Sequence, residues 1–256
     1  MSSVASAWRE RLAERTDPYP LLDQPLVAVP RMARSTSFRR VIKLVGVTPP
    51  ASILEAGIGS GAFSLAFAWA GYRVTALDCL PGVLAGARRG AQDIAGRVRR
   101  PIRFVCGDLE HPPLKPGLFD LVFNEGVIEH WVDRKERRQL IGMMVSLARP
   151  GGAVCVIVPN GQHPRHEFWV TNHYPGYESA PPMTLYGSAS LYDDLVAAGL
   201  SGVQTDGLAA WQSFNLWPHR PLWRLPLGVL DRCGSGPRSF RMRYGAHLIA
   251  CGRRAA

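Results

Sequence analysis

Between residues 51 and 160 the chain alternates short apolar runs with segments of helical periodicity. The apolar runs read as strands SILEA, YRVTALD, IRFVCGD, FDLVFNEG and AVCVIVPN. The helical segments span Ala62 to Ala70, Gly82 to Gly96 and Arg134 to Ala148. Nearly continuous apolar strands that alternate with helices are typical of βα units. The pattern therefore predicts an α/β fold with a mostly parallel sheet that is covered by helices on both faces.

The residues before this region follow a weaker pattern. Residues 1–20 predict a short amphipathic helix that ends at Asp17-Pro18. Residues 21–50 read as irregular until a helix over Ser37 to Leu44, and Thr48-Pro49-Pro50 closes this part as a linker.

After residue 160 the alternation of strands and helices is interrupted and then resumes. Residues 161–187 are rich in His, Pro, Tyr and Trp and show no clear period. A helix is predicted over Ser188 to Ala198, with Ser188 or Ser190 as its N-cap and Gly199 as its stop. Two more strands are predicted over residues 201–209 and 241–250, with an insertion rich in Trp, Pro and Arg between them.

The composition narrows the class of protein. The 256 residues are 46% hydrophobic, which suits one good-sized domain and excludes a disordered or fibrous chain. The longest apolar runs are too short to span a bilayer, and the first residues lack the apolar core of a secretory signal. Five cysteines are scattered without a C-x-x-C pair, which favours a reduced cytoplasmic protein with buried thiols.

The formal net charge of +10 comes from 27 arginines and 3 lysines against 20 acidic residues. Such a balance can indicate nucleic acid, an anionic surface or an acidic substrate as partner. The basic residues are diffuse, and solvated helix faces explain most of them. Nucleic acid therefore remains an alternative partner rather than the first choice.

The glycine-rich turn in ILEAGIGSGAFS raises the question of its ligand. Such a turn between a strand and a helix lets a ligand approach the backbone, and the freed amides at the helix start favour polar groups. The spacing Gly57-x-Gly59-x-x-Ala62 also satisfies the dinucleotide pattern, so an NAD-type site has to be considered. A tight turn without any ligand is the simpler alternative.

Three acids at successive strand ends distinguish between these ligands. Glu55 ends the first strand, where a carboxylate could hold an amine. Asp78 ends the second strand and suits a ribose diol, and Asp108 follows the third strand, where it could meet the amino group of a purine. A ligand with an amine, a ribose and an adenine but no pyrophosphate would use all three, and S-adenosylmethionine is such a ligand. As alternatives, Asp78 could only cap the next helix and Asp108 could only shape a turn.

The stretches LEAGIGSG, VTALD, CGDLEHPPL, FDLVFNEGVIEH and LARPGGAVCVIVPN, in this order, resemble the class I S-adenosylmethionine-dependent methyltransferases. The resemblance covers residues 51 to about 160. It implies a Rossmann-like, doubly wound sheet of seven strands with the last strand antiparallel to the others. It also implies one domain over residues 1–256, with a helical cap (1–50), a cofactor-binding core (51–160) and substrate-side segments (161–187 and 211–240).

The same resemblance assigns the cofactor site. The methionyl end would lie against Glu55, Gly57, Gly59 and Gly61, and the ribose hydroxyls against Asp78, with Cys79 and Leu80 nearby. Asp108 would read the adenine amino group, with Leu109 packed on the ring. The sulfonium would lie beside three residues at the end of the fourth strand, Asn124, Glu125 and Gly126. The alternative for Asn124 is that it caps the following turn.

The acceptor side offers two candidate groups. Glu129 and His130 follow the fourth strand, and a histidine that titrates near neutral pH could remove a proton from a hydroxyl or amine. The alternative is that this pair only orients the backbone or stacks beside the adenosine. Aromatic and imidazole side chains in the next loop and the insertion could line the acceptor pocket, namely His163, His166, His173, Tyr174 and Trp217. No metal site is expected, because no helix holds these histidines on one face.

These observations support one leading hypothesis and two alternatives. The leading one is a cytoplasmic enzyme of small-molecule biosynthesis that methylates an oxygen or nitrogen atom and uses S-adenosylmethionine. Methylation of RNA or of a protein side chain is the first alternative, and the second is a scaffold with a vestigial donor pocket. The insertion over residues 211–240 could be a lid, a homodimer contact or a membrane-touching face.

Overall fold

The computed structural model describes residues 3–13, 24–98, 100–166, 181–210 and 236–256. The helices are α1 (Ser3–Ala13), α2 (Pro25–Ala33), α3 (Thr36–Val45), α4 (Ala62–Trp69), α5 (Pro81–Asp93), α6 (Arg134–Leu147), α7 (Ser188–Ala197) and α8 (Arg238–Tyr244). The strands are β1 (Ser52–Ala56), β2 (Arg73–Asp78), β3 (Arg103–Cys106), β4 (Phe119–Glu125), β5 (Ala148–Pro159), β6 (Leu200–Leu208) and β7 (His247–Arg254). Short 3₁₀ helices cover Ala95–Arg97 and Ile128–His130.

Within these ranges the strands form one seven-stranded sheet in the order β3-β2-β1-β4-β5-β7-β6. β1 pairs in parallel with both β2 and β4, while β7 runs antiparallel between β5 and β6. The predicted sheet, with its last strand antiparallel to the others, is confirmed. The strand order reverses at β1 and β4, and ligands of open α/β sheets bind in the crevice at such a reversal.

Alternate residues of the central strands point to opposite faces of the sheet, and both faces are buried. In β4, Val122 packs into a core cluster with residues of α6 and α7. Its neighbours Leu121 and Phe123 pack into a second cluster with α3 and α4. The Phe123 ring lies 4.8 Å from that of Phe63 between ring centroids. The two-sided burial explains why the strands read as continuous apolar runs.

Helix α2 corrects the expectation that residues 21–50 are irregular before the helix over Ser37 to Leu44. Pro25 occupies the first turn of α2, and Pro30 lies inside it. A proline in the first turn is compatible with a helix, because that amide would have no helical partner. Val29 is fully buried, and α2 packs against α4. Tertiary packing therefore maintains a helix in a segment for which the sequence predicted irregular structure.

Helix α8 corrects the predicted strand over residues 241–250. The strand β7 begins only at His247, and the residues before it form the helix. The Arg241 guanidinium donates to both carboxylate oxygens of the buried Asp206 on β6, at 2.8 and 2.7 Å. This ion pair holds α8 on β6, and a long-range contact of this kind leaves no local periodicity in the sequence.

The start of α7 also differs from the prediction. The N-cap is Gly187 rather than Ser188 or Ser190. The Ser190 hydroxyl accepts a hydrogen bond from the Gly187 amide at 3.1 Å. The predicted stop is confirmed, since Gly199 follows the helix with a φ of +90°.

The cysteines are only partly as predicted. Cys155 and Cys251 are buried as free thiols on the paired strands β5 and β7. Cys79 is half-buried and Cys106 is exposed on the edge strand β3, so the expectation of buried thiols is wrong for Cys106. Cys233 lies outside the described residues.

No helix in the described ranges combines the length and the apolar character needed to cross a membrane.

A buried carboxylate joins α6 to α7. The Asp194 side chain is fully buried and accepts hydrogen bonds from the guanidinium nitrogens of Arg134, Arg137 and Arg138, at 2.8, 3.2 and 2.9 Å. The Tyr186 hydroxyl also donates to it at 3.1 Å. Burial alone would raise the pKa of Asp194, but the hydrogen bonds from the arginines hold it below its usual range. The carboxylate is therefore charged and fully paired.

We expect Asp194→Asn to lower the free energy of unfolding by about 3–5 kcal/mol, because it leaves the buried guanidinium of Arg137 without its anionic partner. Urea denaturation measures this change. The matched control is Asp193→Asn, whose side chain is 61% exposed and lies 4.0 Å from Arg134. The control should cost less than about 1 kcal/mol. Equal losses in the two variants would contradict the assigned role of Asp194.

Candidate functional site

A cavity of about 350 Å³ lies at the carboxyl ends of β1, β2 and β4. Its walls come from the segments that follow these strands and β3, and α1 closes one side. The predicted site residues that line it are Glu55, Gly57, Gly59, Asp78, Cys79, Asp108, Leu109, Glu125, Gly126, Glu129 and His130. The structure thus brings together most of the residues selected from the sequence.

The glycine turn after β1 is constrained by close packing. Gly57 has a φ of +76°, and a Cβ atom there would lie 2.4 Å from Cγ2 of Val127. Its amide donates to the carbonyl of Leu77 at 2.8 Å, which ties the turn to β2. Gly59 also has a positive φ of +49°. The backbone at Gly57 and Gly59 therefore faces the cavity with no side chain between.

Gly61 has a different position from the other two glycines. It is the N-cap residue of α4 with a φ of +77°, and a Cβ atom there would lie 3.0 Å from Cβ of Ala87. Gly61 does not contribute to the described lining of the cavity. Its visible role is the close approach of α4 to α5, so contact with the methionyl end remains a prediction.

Glu55 is buried at the end of β1 and accepts a hydrogen bond from the Ser64 hydroxyl on α4. Burial, together with the nearby charges of Glu125 and Asp78, raises its pKa to about 8 despite the hydrogen bond from Ser64. A buried acid of this kind is stabilised in its charged form by a cation placed beside it. Glu55 is therefore suited to an amine or another cationic group.

Asp78 is the last residue of β2, and Asp108 lies in the turn after β3. Asp78 accepts a hydrogen bond from the Leu80 amide at 2.9 Å, and burial raises its pKa to about 6 against the hydrogen bonds from backbone amides. Leu80, not Asp78, is the residue at the N-cap of α5. Asp108 accepts from the Glu110 amide at 3.1 Å. Both carboxylates shape their turns and also line the cavity, so the turn and ligand interpretations are compatible.

The end of β4 places two carboxylates on the cavity wall. Burial raises the pKa of Glu125 to about 7. The Glu129 side chain is 1% exposed, and its Oε2 atom has no hydrogen-bond partner among the described residues. Burial and then the charge of Glu125 raise the pKa of Glu129 to about 8. Because a buried carboxyl oxygen without a partner is costly, Glu129 is placed to receive a hydrogen bond from a ligand.

Asn124 lies just behind this wall. Its side chain is fully buried, and neither amide atom has a partner among the described residues. It is not part of the described lining of the cavity, so its predicted place beside the sulfonium remains a prediction. The next residue but one, Gly126, does line the cavity and has a φ of +68°.

His130 ends the short 3₁₀ helix that follows β4. Its Nδ1 atom lies 3.4 Å from the carbonyl oxygen of Pro182, and its ring meets the Trp8 ring edge-on at 5.0 Å. Burial lowers the pKa of His130, and the positive charge of Arg11 contributes to the same shift. The imidazole is therefore neutral near pH 7, and a neutral imidazole can accept a proton.

Backbone contacts fix the segment that carries Glu129 and His130. The Thr184 amide donates to the Glu129 carbonyl at 2.7 Å. The Arg137 guanidinium donates to the carbonyls of Trp131 and Val132 at 2.7 and 3.0 Å. The buried ion cluster around Asp194 therefore also holds one wall of the cavity in place.

The sequence predicted a helical cap over residues 1–50, but it did not identify the residues by which α1 lines the cavity. Val4, Ala5, Trp8 and Arg11 all line the cavity. Their spacing follows one face of a helix, and that periodicity is the signal that could have found them. Val127, Met183 and His247 were missed as well, because they enter the wall from separate parts of the chain.

The predicted acceptor residues of the loop after β5 do not meet the cavity where the structure describes them. His163 accepts a hydrogen bond from the Arg165 amide at 3.1 Å, and the Nδ1 atom of His166 lies 3.0 Å from the Asn160 carbonyl. Neither belongs to the cavity lining. His173, Tyr174 and Trp217 lie outside the described residues. In the described part of the chain, no three His, Cys, Asp or Glu residues form a candidate metal site.

The chain matches known methyltransferases in sequence. Residues 54–156 match the family model described as a methyltransferase domain. The malonyl-[acyl-carrier protein] O-methyltransferase of Pectobacterium atrosepticum is 33% identical over 119 residues, 46% of this chain and 43% of that protein. The demethylmenaquinone methyltransferase of Renibacterium salmoninarum is 30% identical over 52% of this chain and 51% of that protein. The chain thus spans about half the length of these relatives or less.

Solved structures share the fold. The chain resembles the methyltransferase from a complex with the Haloferax volcanii Trm112 methyltransferase activator, with a TM-score of 0.59 and 17% identity over 91% of this chain and 94% of that one. It also resembles a geranyl diphosphate methyltransferase solved with S-adenosylmethionine, with a TM-score of 0.56 and 14% identity. That match covers 89% of this chain and 85% of the other.

The buried acids make stability depend on pH. The pKa of Glu55 is about 8 in the folded protein against 4.5 for an ordinary glutamate, so the unfolded chain releases this proton first as pH rises. The free energy of unfolding of the ligand-free protein should therefore fall between about pH 4.5 and 8, by up to about 1.4 kcal/mol per pH unit for this group. Glu55→Gln should remove that part of the decline.

Urea denaturation at several pH values measures the slope. Glu10→Gln, at an exposed position of α1, is the matched control and should keep the full decline. The assignment fails if Glu55→Gln and the control show the same dependence of stability on pH.

Proposed function

We propose that this protein transfers a methyl group from S-adenosylmethionine to an oxygen or nitrogen atom of a small-molecule acceptor, because residues 54–156 match a methyltransferase domain and about half of the chain is similar to methyltransferases. The observation that supports the proposal best is the cavity at the strand reversal. Glu55, Asp78 and Asp108, from three neighbouring strand ends, all line it beside a bare glycine turn. A ligand with three separate polar groups uses such a wall.

The residues present fit S-adenosylmethionine. The buried carboxyl of Glu55 has a raised pKa, and a nearby ammonium group would favour its charged form. At Gly57 and Gly59, which both line the cavity, a ligand can lie directly on the backbone. A dinucleotide would instead need a turn that receives a pyrophosphate, and the acids at the end of β1 and β4 would oppose that charge.

We assign the parts of the cofactor to these residues as follows. Glu55, Gly57 and Gly59 hold the methionyl end, with Gly61 shaping the turn behind them. Asp78 binds the ribose hydroxyls beside Cys79. Asp108 and Leu109 hold the adenine. Bound S-adenosylmethionine supplies a methyl carbon that is activated by the neighbouring sulfonium charge, so the protein mainly has to align the acceptor and exclude water.

The acceptor is handled by the end of β4 and the short helix after it. Glu125 and Gly126 form the wall beside the transfer site, with Asn124 behind them. The neutral imidazole of His130 accepts the proton that an acceptor hydroxyl or amine has to lose, and the buried oxygen of Glu129 receives a hydrogen bond from the acceptor. The Pro182 carbonyl, 3.4 Å from Nδ1, favours the tautomer that leaves Nε2 as the basic atom.

The N-terminal cap belongs to the same functional unit in this proposal. Helix α1 and the segment around Met183 line the cavity, which supports enclosure of the acceptor by residues 1–50 and 161–187. The relatives' names support methyl transfer but differ in acceptor: one is a malonyl-[acyl-carrier protein] O-methyltransferase, and the phosphoethanolamine N-methyltransferase 1 of Triticum aestivum is 28% identical over 59% of this chain and 29% of that protein. They leave the choice between oxygen and nitrogen to experiment.

Cofactor binding tests the donor half of the proposal. We expect Asp78→Ala to weaken the binding of S-adenosylhomocysteine about 10- to 150-fold, because hydrogen bonds to a charged group contribute about 1.5–3 kcal/mol. Isothermal titration calorimetry measures the affinity. Asp93→Ala, at an exposed position near the end of α5, is the control and should bind like the wild type. Unchanged affinity in Asp78→Ala would remove Asp78 from the cofactor site.

Transfer of a labelled methyl group to a library of small hydroxyl and amino compounds tests the acceptor half. We expect His130→Ala to keep its affinity for S-adenosylhomocysteine and to lose about 100-fold or more in turnover, the range of a general base. His111→Ala, an exposed histidine, is the control. A full rate in His130→Ala would mean that the proton goes elsewhere. Transfer only to RNA or protein would reject the small-molecule acceptor.

A further inference from the structure

Helix α1 presents one face to the cavity and the other to solvent. Val4, Ala5, Trp8 and Arg11 line the cavity, while Arg9 is exposed. Val4 and Ala5 are adjacent, and Trp8 and Arg11 follow Ala5 at steps of three residues, so Arg11 falls on a stripe that is otherwise apolar. Because Arg11 lines the cavity, its side chain can contact a ligand there.

Arg11 is also set apart by its charge. Among the described residues that line the cavity it is the only arginine or lysine, and it shares the walls with five acids, Glu55, Asp78, Asp108, Glu125 and Glu129. The guanidinium carbon lies 5.5 Å from the centre of the Trp8 ring. This distance allows a cation–π contact between the guanidinium and the indole.

The Trp8 ring connects this guanidinium to the acceptor side. Trp8 meets the His130 ring edge-on at 5.0 Å, and the charge of Arg11 contributes to the lowered pKa of His130. Both observations place Arg11 near His130. A guanidinium matches a carboxylate in geometry, since two parallel N–H groups can donate to its two oxygens.

We propose that Arg11 binds a carboxylate of a ligand held in this cavity. The inference rests on the proposed function, because that function supplies two ligands which can carry such a group. One source is the methionyl carboxylate of the cofactor, whose amine would lie at Glu55. The other is a carboxylate on the acceptor, which would enter beside His130.

The first arm of the test compares two adenosyl thioethers by calorimetry. S-adenosylhomocysteine carries the amino-acid carboxylate, whereas 5′-methylthioadenosine lacks the amino-acid group. The variants are Arg11→Met and, as the matched control on the same helix, Arg9→Met. If the cofactor is the source, Arg11→Met weakens the binding of S-adenosylhomocysteine at least tenfold and leaves that of 5′-methylthioadenosine within threefold. Arg9→Met changes neither affinity.

The second arm applies when Arg11→Met leaves S-adenosylhomocysteine binding intact. The protein is then saturated with S-adenosylhomocysteine, and 4-hydroxybenzoate is compared with 4-hydroxybenzyl alcohol as probes. If the acceptor is the source, the wild type binds the acid at least tenfold more tightly than the alcohol. Arg11→Met removes this preference, Arg11→Lys keeps part of it, and Arg9→Met keeps all of it.

Equal behaviour of Arg11→Met and Arg9→Met in both arms overturns the proposal. The same holds if the wild type shows no preference for the acid and Arg11→Met binds S-adenosylhomocysteine normally. A wild-type protein that binds neither adenosyl thioether contradicts the proposed function itself, which is a different result. Circular dichroism of each variant confirms that α1 and the rest of the protein keep their helical content.

Discussion

The close approach of Gly57 to Val127 is the constraint on which the site depends. A Cβ atom at Gly57 would lie 2.4 Å from Cγ2 of Val127, so the turn after β1 can pack against the turn after β4 only if one of them has no side chain. This contact sets the spacing of the two strand ends at the reversal of strand order. Glu55 and Glu125 then face the same cavity from neighbouring strands. Their shared burial explains why the pKa values of both carboxyl groups are raised.

Two buried carboxylates form ion pairs with several of the 27 arginines. Asp194 receives three arginines from α6, and Asp206 receives Arg241 from α8 and Arg40 from α3. The first cluster joins α6 to α7, and the second joins α3 and α8 to β6. They also explain part of a net charge that the sequence alone assigned to solvated helix faces. Arg137 and Arg241 are buried together with Asp194 and Asp206, so these four residues leave the net charge at the surface unchanged.

The strands, the glycine turn and the acids were predictable because each is recorded in a local pattern. Asp78 and Asp108 end apolar runs, and parallel strands bring their carboxyl ends to one edge of the sheet. The helices α2 and α8 were not predictable, because packing against distant residues outweighs the local signals of Pro30 and of the apolar residues after Arg241. The wall formed by α1 was predictable in part. Its periodicity was visible, but the amphipathic pattern does not say which cavity its apolar face covers.

The position of the antiparallel strand β7 affects the order in which the sheet can fold. It follows β6 in the sequence but lies between β5 and β6, and it bonds to both over residues 247–254. While the ribosome is still adding these residues, β5 has an open edge and β6 has no neighbour to join. The sheet therefore closes only after β7 has left the exit tunnel, and earlier pairing of β6 with β5 would have to be undone.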